Sequence, residues 1–419
     1  MALCVFEDQA AKNFGPLTDT RAVYELFCGT STLLQKILKH LSEDRAVYLF
    51  TRRYLEGVVR ERHPKLFVNR QPVEEDLILV NGCLVLDSEA SRYVNRLRKG
   101  EALIVDGRIA AARLDGKTLH PEWVDSLAGG DPTQLINSAC PTKKQTPLKL
   151  ITYPWDLLEL SPKLITAEAS GKRLKRRGVS GKVYCKKDVE LEEHVLIDGG
   201  KGPVVLDENV VVQAFSKIVG PAYIGPGTTV FTHSTISECS VGPVCRLGGE
   251  VESSVFIGYS NKRHYGYLGH SIVGEWVNMG AGTTVSNLKN TYGAVRVNVC
   301  GRRVDTRSQF IGSFFGDHVK TSIGCLVSGG LNIGVSSHLY RHVSEDVPAF
   351  TIYSPNMKNE LLLESALATA RRMMARRGVP PSEAYVKMLE HLFHTTAGER
   401  SSHGVRHGKT TFYNTSQHP

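Results

Sequence analysis

Between Gly258 and Asn290 the chain reads GYSNKRHYGYLGHSIVGEWVNMGAGTTVSNLKN, and here polar and ionisable side chains interrupt an otherwise regular six-residue repeat. His264, Tyr267, Asn278 and Asn287 fall inside the interruption. Acyl transfer from a thioester to an amine needs a base to take the amine proton and amides to hold the charge growing on the thioester oxygen. Imidazole, with an unperturbed pKa of about 6.5, suits the proton step near neutrality. Gly280-Ala281-Gly282 is nearly free of side chains, so a ligand can approach its backbone closely. These residues predict a CoA-dependent acyltransferase site with His264 as general base. His338 and His342 have the spacing of two metal ligands, but no carboxylate or cysteine cluster accompanies them. They read as surface histidines, and no metal site is expected.

The element that must position His264 is the repeat. Leu206, Val212, Ile218, Ile224, Val230 and Ile236 stand six apart. After a one-residue slip the pattern resumes at Val241 and Leu247, returns at Tyr267, Val273, Met279 and Val285, and returns again at Phe315, Thr321, Val327, Ile333 and Leu339. A short fixed period of this kind marks a parallel β-helix in which each hexapeptide gives one short strand and its aliphatic residue points into the coil. The reading runs from 179 to 350. Grooves between neighbouring turns or subunits suit a long, thin acyl-pantetheine arm.

Residues 1–127 alternate between apolar runs and helical patterns, which predicts an α/β domain. Leu3–Phe6, Ala46–Phe50 and Leu77–Val80 read as strands, Thr32–Leu41 and Ser88–Leu97 as helices. Asp106-Gly107 marks a hairpin, because a tight primed turn needs positive φ. Residues 128–178 read as a linker, rich in Gly, Pro, Thr and Lys, followed by a bridging helix opened by Pro154-Trp155-Asp156. In 351–395, a helix from Asn359 to Arg377 closed by Gly378 and a second capped by Ser382 are expected to cover the open end of the coils. Residues 396–419 are poor in apolar side chains and read as disordered.

A hydrophobic content of 41% supplies a core, and no apolar run approaches a membrane span. The N-terminus, MALCVFEDQ, lacks the basic and apolar regions of a signal peptide, so a cytoplasmic location is expected. Nine cysteines without a CxxC pair suit reduced thiols. The net charge of +9 comes from scattered residues and short runs such as Lys172–Arg177. With no aromatic-and-basic signature beside them, the expected partners are anionic small molecules, not nucleic acid.

HYGYLGHSIVGEWVNMGAGTTVSN resembles the acetyltransferase half of the bifunctional bacterial GlmU family, which acetylates glucosamine-1-phosphate and then forms UDP-N-acetylglucosamine. The resemblance implies a left-handed β-helix, a homotrimer with shared sites, and acetyl-CoA as co-substrate. It makes His264 the catalytic base and places Asn287 beside the reacting amine and the acyl donor. It makes Tyr267 and Asn278 sugar-phosphate contacts, Ala281 with Gly280 the acyl-CoA backbone contact, and Arg341 a ligand of the CoA phosphates. Ile323 stands where the family has a serine on CoA. The family's two upstream basic ligands have no plain counterpart, although Lys262 and Arg263 are near, and Arg296 stands in for its downstream lysine.

FEDQAAKNFGPLTDTRAVYELFCGTSTLLQKI, with LVNG, AARL and PWDL further on, resembles the divergent nucleotidyltransferase-like domain that precedes such β-helices in GlmU-like proteins. That likeness implies UTP as substrate, with magnesium if the domain is active. Arg21 and Lys36 are the candidates for holding the nucleotide. The loop is not Gly-rich, and Cys83 stands where the family has its metal aspartate, with Asp8 and Asp87 as substitutes. Two alternatives stand beside the acetyltransferase reading: a sugar nucleotidyltransferase with the β-helix as trimer scaffold, and a non-enzymatic trimeric binding module.

Overall fold

A computed structural model describes residues 1–119, 122–130 and 132–408. Ala2–Phe6, Ala46–Leu49, Phe67–Val68 and Asp76–Asn81 are parallel strands, with Ala2–Phe6 between Ala46–Leu49 and Asp76–Asn81. Arg108–Asp115 joins antiparallel to Asp76–Asn81, and Glu101–Val105 joins it through the Asp106-Gly107 turn. Both turn residues have positive φ, 47° and 78°, as a primed turn demands. Thr142–Gln145 then pairs parallel to Glu101–Val105, so the stretch expected to be a linker supplies the last strand of the sheet. Its polar side chains are exposed, as an edge strand allows, and this hid it from a reading based on apolar runs. Pro154–Glu168 is the bridging helix; Pro at its first position and Asp156 accepting from the Tyr153 and Thr152 amides fix its start.

From Glu190 the chain climbs in coils with three faces. Val212, Val230, Leu247 and Lys262 stack in register on one; Ile218, Ile236, Val251, Leu268 and Val285 on a second; Ile224, Val241, Phe256, Val273, Phe315 and Ile333 on the third. Every one of these residues is buried. Each aliphatic one contributes about 1.5–3 kcal/mol by leaving water. The repeat residues read from the sequence point inward with one exception. Tyr267 faces out and Leu268 takes the interior position, a one-residue slip that turns Tyr267 from core into surface.

Different neighbours cover the faces. On the third face the outward residues Tyr223, Ser240, Val255, Ile257, Ile272 and Phe314 are also buried, against Phe27, Leu157 and Trp155 of the N-terminal half. We call it the domain face. The first is the helix face: Arg377, just beyond helix Leu363–Ala375, bonds Asn261 on it at 2.6 Å. On the second, Lys217, Thr235, Glu250, Leu326 and His342 are exposed; it is the open face.

The C-terminal segments do not cap the coils as expected. Thr351–Ser354 and Met357–Glu360 form an antiparallel hairpin at the end of the helix face, which puts strand where the sequence suggested the helix would begin. Helix Glu383–Thr395, capped by Ser382, packs on the N-terminal domain, with Ser382 bonded to Glu61 and His391 stacked on Tyr54 at 4.6 Å. The tail departs from expectation too. Ala397–Ser402 is helical, and Arg400 is buried on Glu360 at 2.9 Å. An ion pair outweighed the low apolar content there; residues 409–419 lie outside the described ones. None of the nine cysteines is paired, and no described helix is long and apolar enough to cross a membrane.

Candidate acyl-transfer site

Each coil turns from the helix face to the open face at one long edge. His264 lies in that turn between Asn261–Lys262 and Tyr267–Gly269, Ala281 between Asn278–Met279 and Thr284–Val285, Ile323 in the next coil and Arg341 in the one after. Backbone bonds run along the edge, from Gly282 N–H to Tyr265 O and from Gly324 N–H to Ala281 O. Stacking of short parallel strands thus sets His264, Ala281, Ile323 and Arg341 in one line at the strand spacing of about 4.8 Å per coil. The His264 ring is exposed, free of the prism interior, and so is Arg341. Gly282 has φ 76°, and a Cβ on Gly280 would lie 2.6 Å from the Ser322 backbone. Tight coil stacking is therefore sufficient to require glycine at 280.

Directly beyond the turn, on the open face, is a closed set of hydrogen bonds. The Asn287 amide donates to the Tyr267 hydroxyl at 2.8 Å and to His270 Nδ1 at 2.9 Å, and Tyr267 donates to Glu252 at 2.9 Å. Both amide hydrogens are engaged, and Oδ1 of Asn287, a residue 8% exposed, accepts no hydrogen bond among the described residues. Burial lowers the His270 pKa, keeping the ring neutral and its Nδ1 an acceptor, and burial with Glu252 raises that of Tyr267. Phe310 stacks on His270 at 5.5 Å and anchors the excursion that carries the hairpin Arg296–Val299 and Arg302–Asp305. The sequence reading missed His270 and Glu252. Their signal was the strand period, which sets Glu252 one coil from Gly269 on the same face.

Several expected residues are not brought to this site. Lys262 occupies an interior position in register with Leu247, is 1% exposed, and donates to Gly248 O and His264 O at 3.0 and 2.6 Å. It supports the His264 turn from inside and does not reach a phosphate. Burial lowers its pKa to about 8. Asn278 lies on the helix face, where its Oδ1 accepts from Asn261 at 3.2 Å, a face away from Tyr267 and Asn287. Arg296 is exposed on the hairpin, 4.0 Å from Asp305.

The N-terminal candidates are engaged elsewhere. Arg21 is buried and bridges the halves, at 2.5 Å from Asp317 and 3.1 Å from Glu275. Lys36, also buried, pairs with Glu168 at 2.6 Å. Neither is open to a nucleotide, which corrects the sequence expectation: a cation taken up by a buried carboxylate is a structural tie. A cavity of about 630 Å³ does open in this domain, lined by Asp8, Asn13, Arg108, Lys143, Gln145 and Thr152 among others. Asp8 accepts from Arg108 Nε and Asn81 on one oxygen and from Arg108 and the Ala10 amide on the other. Asp87 caps helix Ser88–Asn95, and burial pushes the Cys83 thiol far up, so it stays neutral. This donor set does not fit magnesium.

Residues 3–176 match the family described as "Sugar nucleotidyl transferase". The bifunctional sugar-1-phosphate nucleotidylyltransferase/acetyltransferase of Sulfurisphaera tokodaii is 33% identical over 158 residues, 36% of this chain and 37% of that protein. Bifunctional protein GlmU of Methanocaldococcus jannaschii is 31% identical over 193 residues, 43% and 40% of the two chains. The chain is thus similar to GlmU-type proteins, as its motifs suggested, and spans about two fifths of the length of these curated relatives. Among solved structures, PerB from Caulobacter crescentus, in complex with CoA and GDP-perosamine, is 13% identical at a TM-score of 0.13, covering 42% of this chain and 56% of that one.

Proposed function

We propose that the chain is an acetyl-CoA-dependent N-acetyltransferase acting on an amino-sugar phosphate of the glucosamine-1-phosphate class. The observation that carries this reading is the edge on which His264, Ala281 and Arg341 fall in line, with Asn287 Oδ1 free beside it. The thioester lies along the edge with its carbonyl toward the Gly280-Ala281-Gly282 backbone, and Arg341 meets the CoA phosphates. Asn287 Oδ1 orients the amine and His264 takes its proton as nitrogen attacks the thioester carbon; the thiolate leaves and takes up a proton. In the homotrimer that the GlmU resemblance implies, a second copy closes this edge, which is exposed in a single chain.

The test is thiol release from acetyl-CoA with glucosamine-1-phosphate. His264→Ala lowers the rate at least about a hundredfold while the melting temperature stays within experimental scatter, because the ring is exposed. Equal rates refute the proposal. For the N-terminal domain we infer binding of a nucleotide or sugar nucleotide in the Arg108 and Lys143 cavity without metal-assisted transfer at Asp8 or Cys83. Magnesium-dependent release of pyrophosphate from UTP with N-acetylglucosamine-1-phosphate overturns that inference.

A further inference from the structure

Between the helix face and helix Leu363–Ala375 lies a second cavity of about 350 Å³, lined by Arg246, Lys320, Arg372, Arg376 and Arg377 together with Asn261, Asn278, Thr369 and Met373. Its lining contains four arginines, one lysine and no carboxylate. Among the described residues none of the five forms an ion pair. This contrasts with Arg21, Arg52, Arg62, Arg108 and Arg113, each paired with an acid. Cations near a helix C-terminus are favoured by the dipole, which accounts for Arg376 and Arg377. It does not account for Arg246 and Lys320, which come from the opposite wall.

Hydrogen bonding gives the same answer by a separate route. Arg377 donates to Asn261 Oδ1 at 2.6 Å, and Asn261 in turn donates to Asn278 Oδ1 at 3.2 Å. Both amide oxygens are thereby engaged, and what the two asparagines and the arginines have left to offer is N–H. Lys320 donates to the Trp276 and His318 carbonyls at 2.9 and 2.8 Å; burial lowers its pKa to about 7, so near neutrality it holds its third hydrogen only in part, and a bound anion favours the charged form. A wall of donors with uncompensated positive charge calls for a ligand that only accepts and is multiply negative. Guanidinium forks match phosphate oxygens, and charge-assisted bonds of this kind are about twice as strong as neutral ones. Burial and the neighbouring cations Arg246 and Arg376 depress the Arg377 pKa, the electrostatic tension that a bound anion relieves.

We infer that this cavity is a binding site for a diphosphate ester, separate from the acyl-transfer edge and built jointly by the coil and the C-terminal helix. Asn278 belongs to it and not to the Tyr267 and Asn287 set. The same chemistry is carried by CoA and by a nucleoside diphosphate sugar, and competition tells them apart. The inference does not rest on the acetyltransferase reading, since its readout is binding alone.

The experiment is calorimetric titration of the full chain with inorganic pyrophosphate, then displacement by CoA and by UDP-N-acetylglucosamine. Arg372→Ala with Arg376→Ala weakens pyrophosphate at least about tenfold. Both side chains are exposed, so the pair leaves the melting curve in place. Arg371→Ala removes the same charge from the same helix outside the cavity lining, and it changes affinity less than about twofold. The ester that displaces pyrophosphate identifies the source. Absent binding to the wild-type chain, equal binding by the double variant, an Arg371→Ala loss as large as that of the double variant, or displacement by neither ester overturns the inference.

Discussion

The N-terminal domain and the edge of the β-helix hold similar side chains in opposite conditions. Around the strand Ala2–Phe6, Arg21, Lys36 and Asp8 each meet partners of the opposite sign at 2.5 to 2.9 Å. Along the edge, His264 and Arg341 reach solvent, and Asn287 keeps an acceptor free beside a network that is otherwise complete. A polar group committed to a buried internal pair is unavailable to a ligand. A group held only through its backbone, by a coil that stacks for its own reasons, remains available. The stability of one region and the chemistry of the other are therefore separable by mutation.

The largest expected effect attacks the first half of that comparison. Asp317 is fully buried, and it accepts from Arg21, from Thr20 at 2.7 Å and from the Glu275 amide at 2.7 Å. Arg21→Met leaves this carboxylate without its cation and lowers stability by about 3–5 kcal/mol, measured by urea unfolding. An Arg21→Met chain that stays as stable but loses nucleotide affinity would make Arg21 a ligand after all.

A smaller effect sharpens the second half. Asn287→Asp removes both amide donors and sets a carboxylate against His270, whose imidazolium it favours. The His270 pKa rises, read from its ring proton shifts by NMR, and kcat for acetyl transfer falls about tenfold. An unmoved titration breaks the assignment of the network.

The repeat made most of the β-helix legible, because a period of six leaves an aliphatic residue at nearly every interior position from Leu206 to Leu339. Local rules also read the Asp106-Gly107 turn and the Ser382 cap, since a positive φ or a cap depends only on neighbours in the chain. What stayed hidden depends on distant partners. Lys262 resembled a surface cation beside His264, and only the register with Leu247 turns it inward. Nothing local ties Arg372, Arg376 and Arg377 to a site, because the strands opposite them, at Arg246, Asn278 and Lys320, are about 50 to 130 residues away in sequence. Thr142–Gln145 is polar throughout and becomes a strand only because Glu101–Val105 offers it an edge.

Lys262 gives the finest test, because it joins the two conditions in one residue: a buried cation whose hydrogen bonds fix the turn that exposes His264. Its pKa falls from the ordinary 10.5 to about 8 in the folded chain, since burial penalises the charged form. Between those values the unfolded chain holds the proton that the folded chain has released, so stability rises with pH across that window and is flat below about 8. Lys262→Met, matching Leu247 and Met279 in the stack, removes this dependence. The wild-type chain therefore gains about 1–3 kcal/mol on the variant between pH 8 and 10.5, in unfolding curves taken at each pH. In acetyl transfer the variant loses the Nζ bond to His264 O, and kcat drops a few-fold while KM for acetyl-CoA holds. A variant with unchanged kcat would show that the turn needs no internal support, and that stacking of the coils alone sets the imidazole.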